Sequence, residues 1–487
     1  MELKKLLQDV NLKEINVDLN VEIEGITQDS RSIKKGYAFV ALKGAHIDGN
    51  KYIPSAINNG ASLIVTEEKP EEDCPYIIVD NPRQALSQML SNFYSRPQDS
   101  FKFKVGVTGT NGKTSTSVML KNIFEAAGYK VGLIGTMKYL IGDEEYNSES
   151  QGNLLTTPDS ENFWSLLNLM REKGVEVLVM EVSSHALALD KIYSMRFNVG
   201  IFTNLTRDHM DFHHDFENYL EAKAKLFSMC DTGIINEDDP YFEKLKEMSL
   251  CPVKTYSIDK DVSDFTAKNV RYKGALGVEY ELLTNSLIFR IRVDIPGTFT
   301  VYNSLAAASV ALTVGLGYDT IINGFKKTHR IEGRIDRVNI DAPYSVIIDF
   351  AHTPDAMENV ISTVKGFAKG RIITLFGCGG DRDKTKRPIM GKISTEMSDY
   401  VIITSDNSRS ENKDEIIRDI ISGIEKDNFE AIADRSEAIH KAMDIAEEDD
   451  VILCLGKGHE EYEIDEFGKH RFSERETVIE YYNRKRG

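Results

Sequence analysis

The sequence is poor in the features that mark secreted, membrane-spanning and nucleic-acid-binding proteins. It contains 5 cysteines among 487 residues, an odd number without a CxxC pair, so neither a disulfide framework nor a zinc–thiolate site is expected. Its apolar runs fall short of the roughly 20 residues that cross a bilayer, and the charged N-terminal stretch MELKKLLQDVNLKEI predicts an amphipathic helix rather than an export signal. Acidic residues outnumber basic ones by 77 to 59, and this net charge of −18 opposes binding to nucleic acid. We therefore expect a cytoplasmic protein without membrane insertion or a nucleic-acid partner.

The length predicts about three domains, since a typical domain has roughly 150 residues. Turn-rich stretches divide the chain into predicted domains 1–100, 101–335 and 336–487. In the second and third domains, short apolar runs such as FKVGVTG, VEVLVMEV, YSVIIDFAH and DDVILCLGKG alternate with helical patterns. This alternation predicts an α/β fold with parallel sheets, and the site is expected where the strands end.

One glycine-containing loop joins a predicted strand to a predicted helix and is typical of a phosphate-binding loop. Its backbone N–H groups would surround an anion, Lys113 would reach the β and γ phosphates, and the Thr114 hydroxyl would be a Mg²⁺ ligand. Val107 occupies the position of the first glycine in the common GxxxxGK[ST] pattern, and a tight turn that merely uses glycine is the alternative. The candidate ATP-binding residues of the loop are Gly109, Thr110, Asn111, Gly112, Lys113, Thr114 and Ser115.

Two neighbouring strand ends carry candidate metal ligands. The strand VEVLVM ends at Glu181, and FNVGIFTNL leads into the segment 206–214, which contains His209. Because the carboxyl ends of parallel strands meet at one edge, these side chains are expected near the phosphate loop. A solvated carboxylate is the alternative for Glu181, and zinc is a weaker choice than magnesium because no thiolates accompany the histidines.

The predicted helix through 217–229 places a lysine among apolar residues. Tyr219, Leu220, Leu226 and Phe227 form one stripe that includes Lys223, whereas Lys225 projects to the charged side. The pattern alone favours a Lys223 side chain that snorkels to water. In the alternative, desolvation lowers the pKa of Lys223, and the neutral amine adds CO₂ to become a carbamate.

Taken together, the motifs resemble those of the Mur ligases, ATP-dependent amide-forming enzymes of bacterial cell-wall synthesis. The resemblance extends over essentially the whole chain and is closest to the tripeptide synthetases, which add the third residue of the stem peptide. It implies Lys113, Lys223, His209 and Glu181 as catalytic residues, with Lys223 carbamylated and Thr114, Glu181, His209 and Lys223 around the metal. The matching segments are TGTNGKTS, TTPDS, EVSSHAL, TNLTRDHMDFHHDFENYLEAK, YNSLAAA, EGRIDRV, DFAHTPDAM, GCGGDRDKTKRP and GKGHE.

The resemblance also implies which residues hold the substrates. The first domain would bind the uridine end of a UDP-linked substrate through Ser30 and the loop with His46. Contacts to the muramoyl dipeptide are expected from Thr156, Thr157, Ser183 and Lys191, and Lys191 stands where the family usually has arginine. Further ATP contacts are expected from Asn303, Arg334, Asp349 and His352, for which a helix cap at Asn303 and a linker ion pair at Arg334 are the alternatives.

The amino acid to be added is expected at three strand ends of the last domain, where arginines and carboxylates converge. A guanidinium suits a carboxylate, and an acidic group suits an ammonium, so this set fits a diamino acid. In the family the tetrapeptide DNPR signals meso-diaminopimelate, and here the sequence is DNSR, without the proline. The candidate residues are Arg382, Asp406, Asn407, Arg409, Gly456 and Glu460.

The resemblance thus implies a ligase that uses ATP and Mg²⁺ to join UDP-MurNAc-L-Ala-D-Glu to meso-diaminopimelate through an acyl phosphate, and we expect it to be a monomer. Three alternatives stay open. They are the same ligase using L-lysine or another diamino acid, a ligase similar to folylpolyglutamate synthase, and a nucleotide-regulated binding protein that forms no amide.

Overall fold

The computed structural model describes residues 1–44, 48–146 and 155–486, which form three α/β units. In the first unit β5, β4, β3 and β2 run parallel, and β1 pairs antiparallel with β5 at the edge. The predicted N-terminal helix is wrong beyond its first turn, because residues 12–16 pair with β5 instead. Its elements are α1 (Leu3–Leu6), β1 (Leu12–Asn16), β2 (Gly25–Thr27), β3 (Tyr37–Val40), α2 (Ile53–Asn58), β4 (Leu63–Thr66), β5 (Tyr76–Val79) and α3 (Pro82–Phe93).

The central unit is built on a sheet in the order β16-β15-β14-β13-β12-β11-β6-β10-β7-β8-β9, parallel from β14 to β7 and antiparallel at both edges. Its elements are β6 (Phe103–Thr108), α4 (Lys113–Ala126), β7 (Val131–Ile134), β8 (Tyr139–Ile141), β9 (Glu144–Glu145), α5 (Ser160–Glu172), β10 (Val177–Glu181), α6 (Ser184–Ala188), β11 (Phe197–Phe202), α7 (Met210–His213), α8 (Phe216–Ala224), β12 (Cys230–Asn236), α9 (Phe242–Met248), β13 (Val253–Ser257), β14 (Phe265–Tyr272), β15 (Val278–Leu283), β16 (Ile288–Val293), α10 (Thr298–Thr313) and α11 (Tyr318–Lys326). The apolar runs that predicted β6, β10 and β11 are buried on both faces, as parallel strands between helices should be.

The last unit has the sheet order β17-β18-β22-β19-β20-β21, parallel apart from β17. Its elements are β17 (Asp336–Arg337), β18 (Ser345–Asp349), α12 (Pro354–Lys365), β19 (Ile372–Phe376), α13 (Lys386–Met397), β20 (Tyr400–Ile403), α14 (Lys413–Ile421), β21 (Phe429–Ala431), α15 (Arg435–Ile445), β22 (Val451–Leu455), the hairpin β23 (Tyr462–Asp465) and β24 (Gly468–Arg471), and α16 (Glu474–Arg486). The parallel α/β class predicted from the alternation of apolar runs is confirmed.

Packing between the units positions their strand ends. Helix α3 of the first unit packs on α5 of the central unit, where the Trp164 indole donates to Ser87 Oγ at 3.1 Å inside a continuous apolar core. Carboxyl ends of β11, β6 and β10 lie side by side, and Thr108 Oγ1 donates to the Val182 carbonyl at 2.8 Å. Among the described residues, the helices are too short or too polar to span a bilayer.

Candidate active site

The phosphate-loop candidate opens α4 with free backbone donors. Gly112 precedes the helix at φ +86° and offers no side-chain cap, so the first N–H groups of α4 point out of the helix without that partner. The Lys113 ammonium folds back on the loop and donates to the carbonyls of Gly109 at 2.9 Å and Thr110 at 2.8 Å. Burial lowers the pKa of Lys113, against the opposing effect of Glu181. The arrangement suits an anion that would take over these lysine contacts.

The glycines of this loop are required by close neighbours. A Cβ at Gly109, where φ is +143°, would lie 1.9 Å from Thr203 Oγ1, and one at Gly112 would lie 2.3 Å from Asn303 Oδ1. Asn303 is buried inside α10 rather than at its end, so the helix-cap alternative for this residue is wrong. Its position beside the loop is compatible with the predicted nucleotide contact.

Lys223 is buried and does not snorkel. Only 1% of the residue is exposed, and its ammonium lies 4.4 Å from the centre of the Tyr219 ring. Burial, with Lys113 nearby, holds the pKa of Lys223 well below its ordinary value. The snorkelling interpretation fails because the apolar stripe of α8 packs into the core and leaves this lysine no path to water. A neutral amine, which carbamylation needs, is therefore the state that the environment favours.

Tyr219 connects the lysine helix to the phosphate loop. Its hydroxyl lies 3.1 Å from Thr110 Oγ1, and that oxygen also accepts from the backbone N–H of Thr206 at 3.0 Å. The loop, the segment that contains His209 and the helix of Lys223 thus meet at one threonine hydroxyl.

Glu181 is buried at the end of β10 and held by a single threonine. Its two carboxylate oxygens accept from the Thr136 backbone N–H at 3.1 Å and from the Thr136 hydroxyl at 2.8 Å. The Thr136 hydroxyl also lies 3.0 Å from the hydroxyl of Thr156. The solvated-carboxylate alternative for Glu181 is wrong, since 1% of the residue is exposed.

The predicted dipeptide contacts Thr157 and Ser183 lie directly beside Glu181. Thr157 Oγ1 donates to the Glu181 carbonyl at 2.8 Å and accepts from the Ser183 backbone N–H at 2.9 Å. Ser183 Oγ caps α6 by accepting from the Ala186 N–H at 3.2 Å. These two residues and Thr156 therefore form one polar lining next to the candidate metal ligand.

His209 is kept neutral beside a buried carboxylate. Burial lowers its pKa to about 3, although Asp208, with Oδ2 at 3.3 Å from His209 Nε2, acts to raise it. A neutral imidazole is the form that binds a metal. Burial acts to raise the pKa of Asp208, but His209, His352 and Lys386 outweigh it and hold the pKa well below its usual range.

The described residues contain no group of three or more His, Cys, Asp or Glu side chains arranged for a metal. Mg²⁺ that is bound through nucleotide phosphates takes only one or two protein ligands and keeps several waters. The neutral ring of His209, the oriented carboxylate of Glu181 and the Thr114 hydroxyl are donors of the right kind. These three donors therefore fit a nucleotide-bound magnesium.

Of the predicted ATP residues Arg334, Asp349 and His352, only Arg334 contacts the phosphate loop among the described residues. Its Nη2 donates to Thr114 Oγ1 at 3.3 Å, and its buried Nε has no partner in the described part of the chain, so it is free for a phosphate oxygen. Within the described residues Arg334 makes no salt bridge, which argues against the linker-ion-pair alternative. Asp349 accepts from the N–H groups of Ile335 at 2.7 Å and Ala351 at 2.8 Å, and His352 Nε2 lies 3.7 Å from Asp208 Oδ2.

The remaining substrate candidates are Ser30, in the first unit, and Lys191, in the central unit. Ser30 is buried, with its carbonyl accepting from Asn59 Nδ2 at 2.8 Å. The neighbouring Thr27 hydroxyl donates to Glu161 of α5 at 3.1 Å, which joins this loop to the central unit. Burial lowers the pKa of Lys191, whose carbonyl accepts from Ser160 Oγ at 2.9 Å. The predicted contact His46 lies outside the described residues.

The amino-acid candidates do converge. Arg409 Nη1 donates to the carbonyl of Gly380 at 2.8 Å, and Nη1 of Arg382 donates to the carbonyl of Asp381 at 2.8 Å in the same loop. Asn407 Nδ2 donates to Glu460 Oε2 at 2.8 Å. Burial, with Arg382 nearby, lowers the pKa of Arg409.

Gly456 completes this set of predicted residues, and its lack of a side chain leaves room for the Asp406 carboxylate. Its φ is +110°, and a Cβ there would lie 2.8 Å from Asp406 Oδ2. Parallel order β22-β19-β20 brings the three loops together.

The sequence analysis assigned no role in the site to several residues that the structure places there. They are Thr136, Asp208, Tyr219, Lys386 and Lys457, which contact the predicted residues from other elements. Asp208 and Tyr219 stand beside predicted residues in the chain, and their burial could have marked them. Lys386 and Lys457 lie inside the matching segments GCGGDRDKTKRP and GKGHE, which gave them no role, and Thr136 carries no such signal because only the folded sheet brings it to Glu181.

Three family models match consecutive parts of the chain. The Mur ligase family catalytic domain matches residues 22–94, the Mur ligase middle domain 107–311, and the Mur ligase glutamate ligase domain 333–458. A UDP-N-acetylmuramoyl-L-alanyl-D-glutamate–2,6-diaminopimelate ligase of Clostridium tetani is 44% identical over 487 residues, covering 99% of each chain. The protein belongs to the Mur ligase family, as the resemblance of its motifs predicted.

Solved structures agree with this assignment. A structure of a UDP-N-acetylmuramoyl-L-alanyl-D-glutamate–2,6-diaminopimelate ligase is 26% identical, covers 100% of this chain and 99% of its own, and superposes with a TM-score of 0.70. Folylpolyglutamate synthase of Mycobacterium tuberculosis, in complex with ADP and AMPPCP, gives a TM-score of 0.64 at 18% identity, covering 77% of this chain and 92% of its own. The second likeness concerns the fold alone.

Proposed function

We propose that this protein is the ATP-dependent ligase that adds meso-diaminopimelate to UDP-MurNAc-L-Ala-D-Glu. The observation that carries the proposal is the meeting of a phosphate loop, a desolvated lysine and a converging arginine–carboxylate set at the ends of two parallel sheets. Full-length similarity to relatives that bear this name supports it. The sequence motifs and the geometry thus favour the same substrates.

In the proposed reaction, the γ-carboxylate of the D-glutamate attacks the γ-phosphorus of ATP. A carboxyl O–P bond forms and the bond to the leaving ADP oxygen breaks, which leaves an acyl phosphate. The amine of diaminopimelate then attacks the acyl carbon, loses a proton, and phosphate departs as the amide forms. Mg²⁺ bound with the nucleotide would neutralise charge on the phosphoryl group.

This chain's own residues would supply position and charge. Lys113 and Arg334 are placed to neutralise the transferring phosphoryl group, since both donate within the phosphate loop. Thr157 and Ser183 would orient the dipeptide beside Glu181. A carbamate on Lys223 would add an anion that holds magnesium. No protein nucleophile takes part.

The choice of diaminopimelate rests on the subsite around Arg409 and Glu460. A guanidinium would bind the second carboxylate of the amino acid, and the carboxylates of Asp406 and Glu460 would face its ammonium. L-Lysine lacks that second carboxylate, so in a lysine-adding enzyme Arg409 would keep only the carbonyl oxygens of Gly380 and Asn407 as partners. A partly buried guanidinium without a substrate anion is costly, and this favours diaminopimelate.

The decisive experiment supplies UDP-MurNAc-L-Ala-D-Glu and ATP with either meso-diaminopimelate or L-lysine and identifies the product by mass. We expect product only, or mainly, with diaminopimelate, together with one phosphate released for each amide formed. Arg409→Ala should lose this preference, and Arg418→Ala, an exposed arginine of α14, should keep it. Equal use of both amino acids by the wild type would contradict the assigned amino acid.

The same assay distinguishes the proposed ligase from the two alternative functions. A folylpolyglutamate synthase would ignore the UDP-linked dipeptide, and a nucleotide-regulated binding protein would release no phosphate in response to it. Hydroxylamine should trap the activated acid as a hydroxamate in the absence of diaminopimelate. Because ATP is the co-substrate, we place the reaction in the cytoplasm, and we propose that one chain carries the complete site as a monomer.

A further inference from the structure

One charged residue in the amino-acid subsite has no role in the mechanism above. Lys457, in the loop after β22, is 0% exposed. Its ammonium lies 3.7 Å from Asp406 Oδ1 and 3.6 Å from Glu460 Oε2 and donates to Asn407 Oδ1 at 3.1 Å. Desolvating a lysine is expensive unless the charge is paired. Here it is paired with two residues that the proposed function assigns to the substrate.

The first consequence concerns the orientation of Asn407. Its Oδ1 accepts from Lys457 Nζ and from the Ile464 backbone N–H at 2.9 Å, so both acceptor positions of the amide oxygen are occupied. Nδ2 of Asn407 must then face the other way, where it donates to Glu460 Oε2 at 2.8 Å. Lys457 thereby sets which end of the amide faces the carboxylate.

The second consequence concerns charge. Burial raises the pKa of Glu460, and the neighbouring Asp406 raises it further, while Lys457 opposes both effects. Burial also acts to raise the pKa of Asp406, but Lys457 and Arg435 outweigh it. Without the lysine, burial and the repulsion between Asp406 and Glu460 would favour a proton on one of the two carboxylates. Among the described residues, the other charged or titratable groups that act on this pair include Cys378, Arg409, Arg435 and Tyr462.

We propose that Lys457 is a positioning residue for amino-acid selection, which keeps Asp406 and Glu460 ionised together and aims Asn407 at Glu460. The inference rests on the proposed function and extends it, since it explains how the subsite offers two carboxylates to a single substrate ammonium. Lys457 itself is too enclosed by protein groups to contact the substrate.

The test compares Lys457→Met with Lys469→Met in steady-state assays with meso-diaminopimelate. Lys469 is exposed on the adjacent hairpin, 3.8 Å from the Tyr462 ring centre, so it controls for loss of a lysine beside the same loop. For Lys457→Met we expect KM for diaminopimelate to rise by about tenfold or more, because a buried charge pair has lost one partner. The KM values for ATP and for the UDP-linked dipeptide should stay close to wild type.

A pH profile separates this role from a merely structural one. Without the lysine one carboxylate holds a proton at neutral pH, so KM for diaminopimelate should fall again as pH rises between about 6 and 9. The wild type and Lys469→Met should show no such recovery. Lys457→Gln keeps a donor for Asn407 without the charge and should behave like Lys457→Met, whereas Lys457→Arg should be closer to wild type. Melting temperatures identify any variant that fails to fold.

The outcomes distinguish the two proposals. A wild-type enzyme that uses no diamino acid overturns the proposed function and this inference with it. A wild type that uses diaminopimelate, with a folded Lys457→Met or Lys457→Gln variant whose KM for it is unchanged, overturns this inference alone. An equal rise in KM for all three substrates, without recovery at high pH, also overturns it.

Discussion

Asp208 of the central unit and Lys386 of the last unit face each other at 3.8 Å, and both are nearly excluded from water. The same carboxylate lies within 3.7 Å of His352, which is also in the last unit. Nearby, Asn111 of the phosphate loop donates to Asp355 at 2.9 Å. The loop and the last sheet are therefore joined by buried polar contacts at the place where the proposed chemistry occurs.

Removal of the Asp208 charge should weaken this junction. Asp208→Asn leaves the buried ammonium of Lys386 without its anion, and we expect a loss of about 3 kcal/mol, read as a lower melting temperature. The control is Arg196, whose ion pair with Asp231 at 3.1 Å is exposed on both sides. Arg196→Gln should lower the free energy of unfolding by less than about 1 kcal/mol. Equal losses in the two variants would contradict the role of burial.

Two glycines on either side of α4 form a matched pair, Gly112 in the phosphate loop and Gly128 after the helix. Gly112 and Gly128 have φ of +86° and +88°, but only a Cβ at Gly112 meets another group, 2.3 Å away at Asn303 Oδ1, whereas nothing lies within 4 Å at Gly128. Gly128→Ala should lower the free energy of unfolding by about 1 kcal/mol, because alanine disfavours this backbone conformation. Gly112→Ala should lower it by about 2 to 4 kcal/mol, because its Cβ would also clash with Asn303. Gly112→Ala should also weaken ATP binding, measured by titration with a fluorescent analogue. Similar values for both variants would argue against a tight contact between Asn303 and the loop.

Of the two lysines Lys223 and Lys225, we expect the buried Lys223 to be carbamylated. Lys223→Met should lower kcat by about a hundredfold or more if a carbamate there holds magnesium, and Lys223→Glu, which restores a carboxylate, should retain more activity. Lys225→Met, two residues along the same segment with a half-exposed side chain, should leave kcat unchanged. Labelling with ¹³C-bicarbonate should give a carbamate signal in the wild type that Lys223→Met lacks. If the signal persists in that variant, it comes from another amine.

Acid should destabilise the protein through buried histidines. Burial lowers the pKa of His213 to about 4 from the ordinary value of 6.5, so between these values the unfolded chain binds a proton that the folded protein does not. The contribution of the neutral His213 to the free energy of unfolding is therefore fully present above pH 6.5, and it is lost as the pH falls toward 4. His213→Gln should reduce the loss between pH 7 and 5 by about 1 to 2 kcal/mol, measured by denaturant unfolding.

The serine of the DNSR tetrapeptide should accept proline. In the described part of the chain the backbone N–H of Ser408 makes no hydrogen bond, while its carbonyl accepts from the Glu411 N–H at 3.0 Å, so proline removes no contact. Ser408→Pro should raise stability by about 0.4 to 1 kcal/mol by restricting the unfolded chain. Selection of diaminopimelate should be retained, as measured by the product mass. A loss of stability would mean that this loop has a backbone unlike that of its DNPR relatives.

Local patterns predicted the strands of the site well, because each is an apolar run that ends in polar residues. They failed at the N-terminus, where a charged, helix-like stretch becomes β1 through its pairing with β5. They also failed for Asn303 and for the burial of Lys223, since both depend on neighbours distant in the chain. Periodicity reports which face of a helix is apolar and does not report how deeply that face is covered.

The sequence by itself determined the parallel α/β class, the phosphate loop and the family. Each of these is encoded by residues that lie close together in the chain, such as an apolar run, a glycine-containing loop or a motif at a strand end. Only the tertiary structure decided the electrostatics of the site. The neutral state of His209, the desolvation of Lys223 and the pairing of Lys457 with two acids arise from groups brought together by separate strands and units. Water exclusion is a property of the assembled fold, and the charge state of a buried group follows from it.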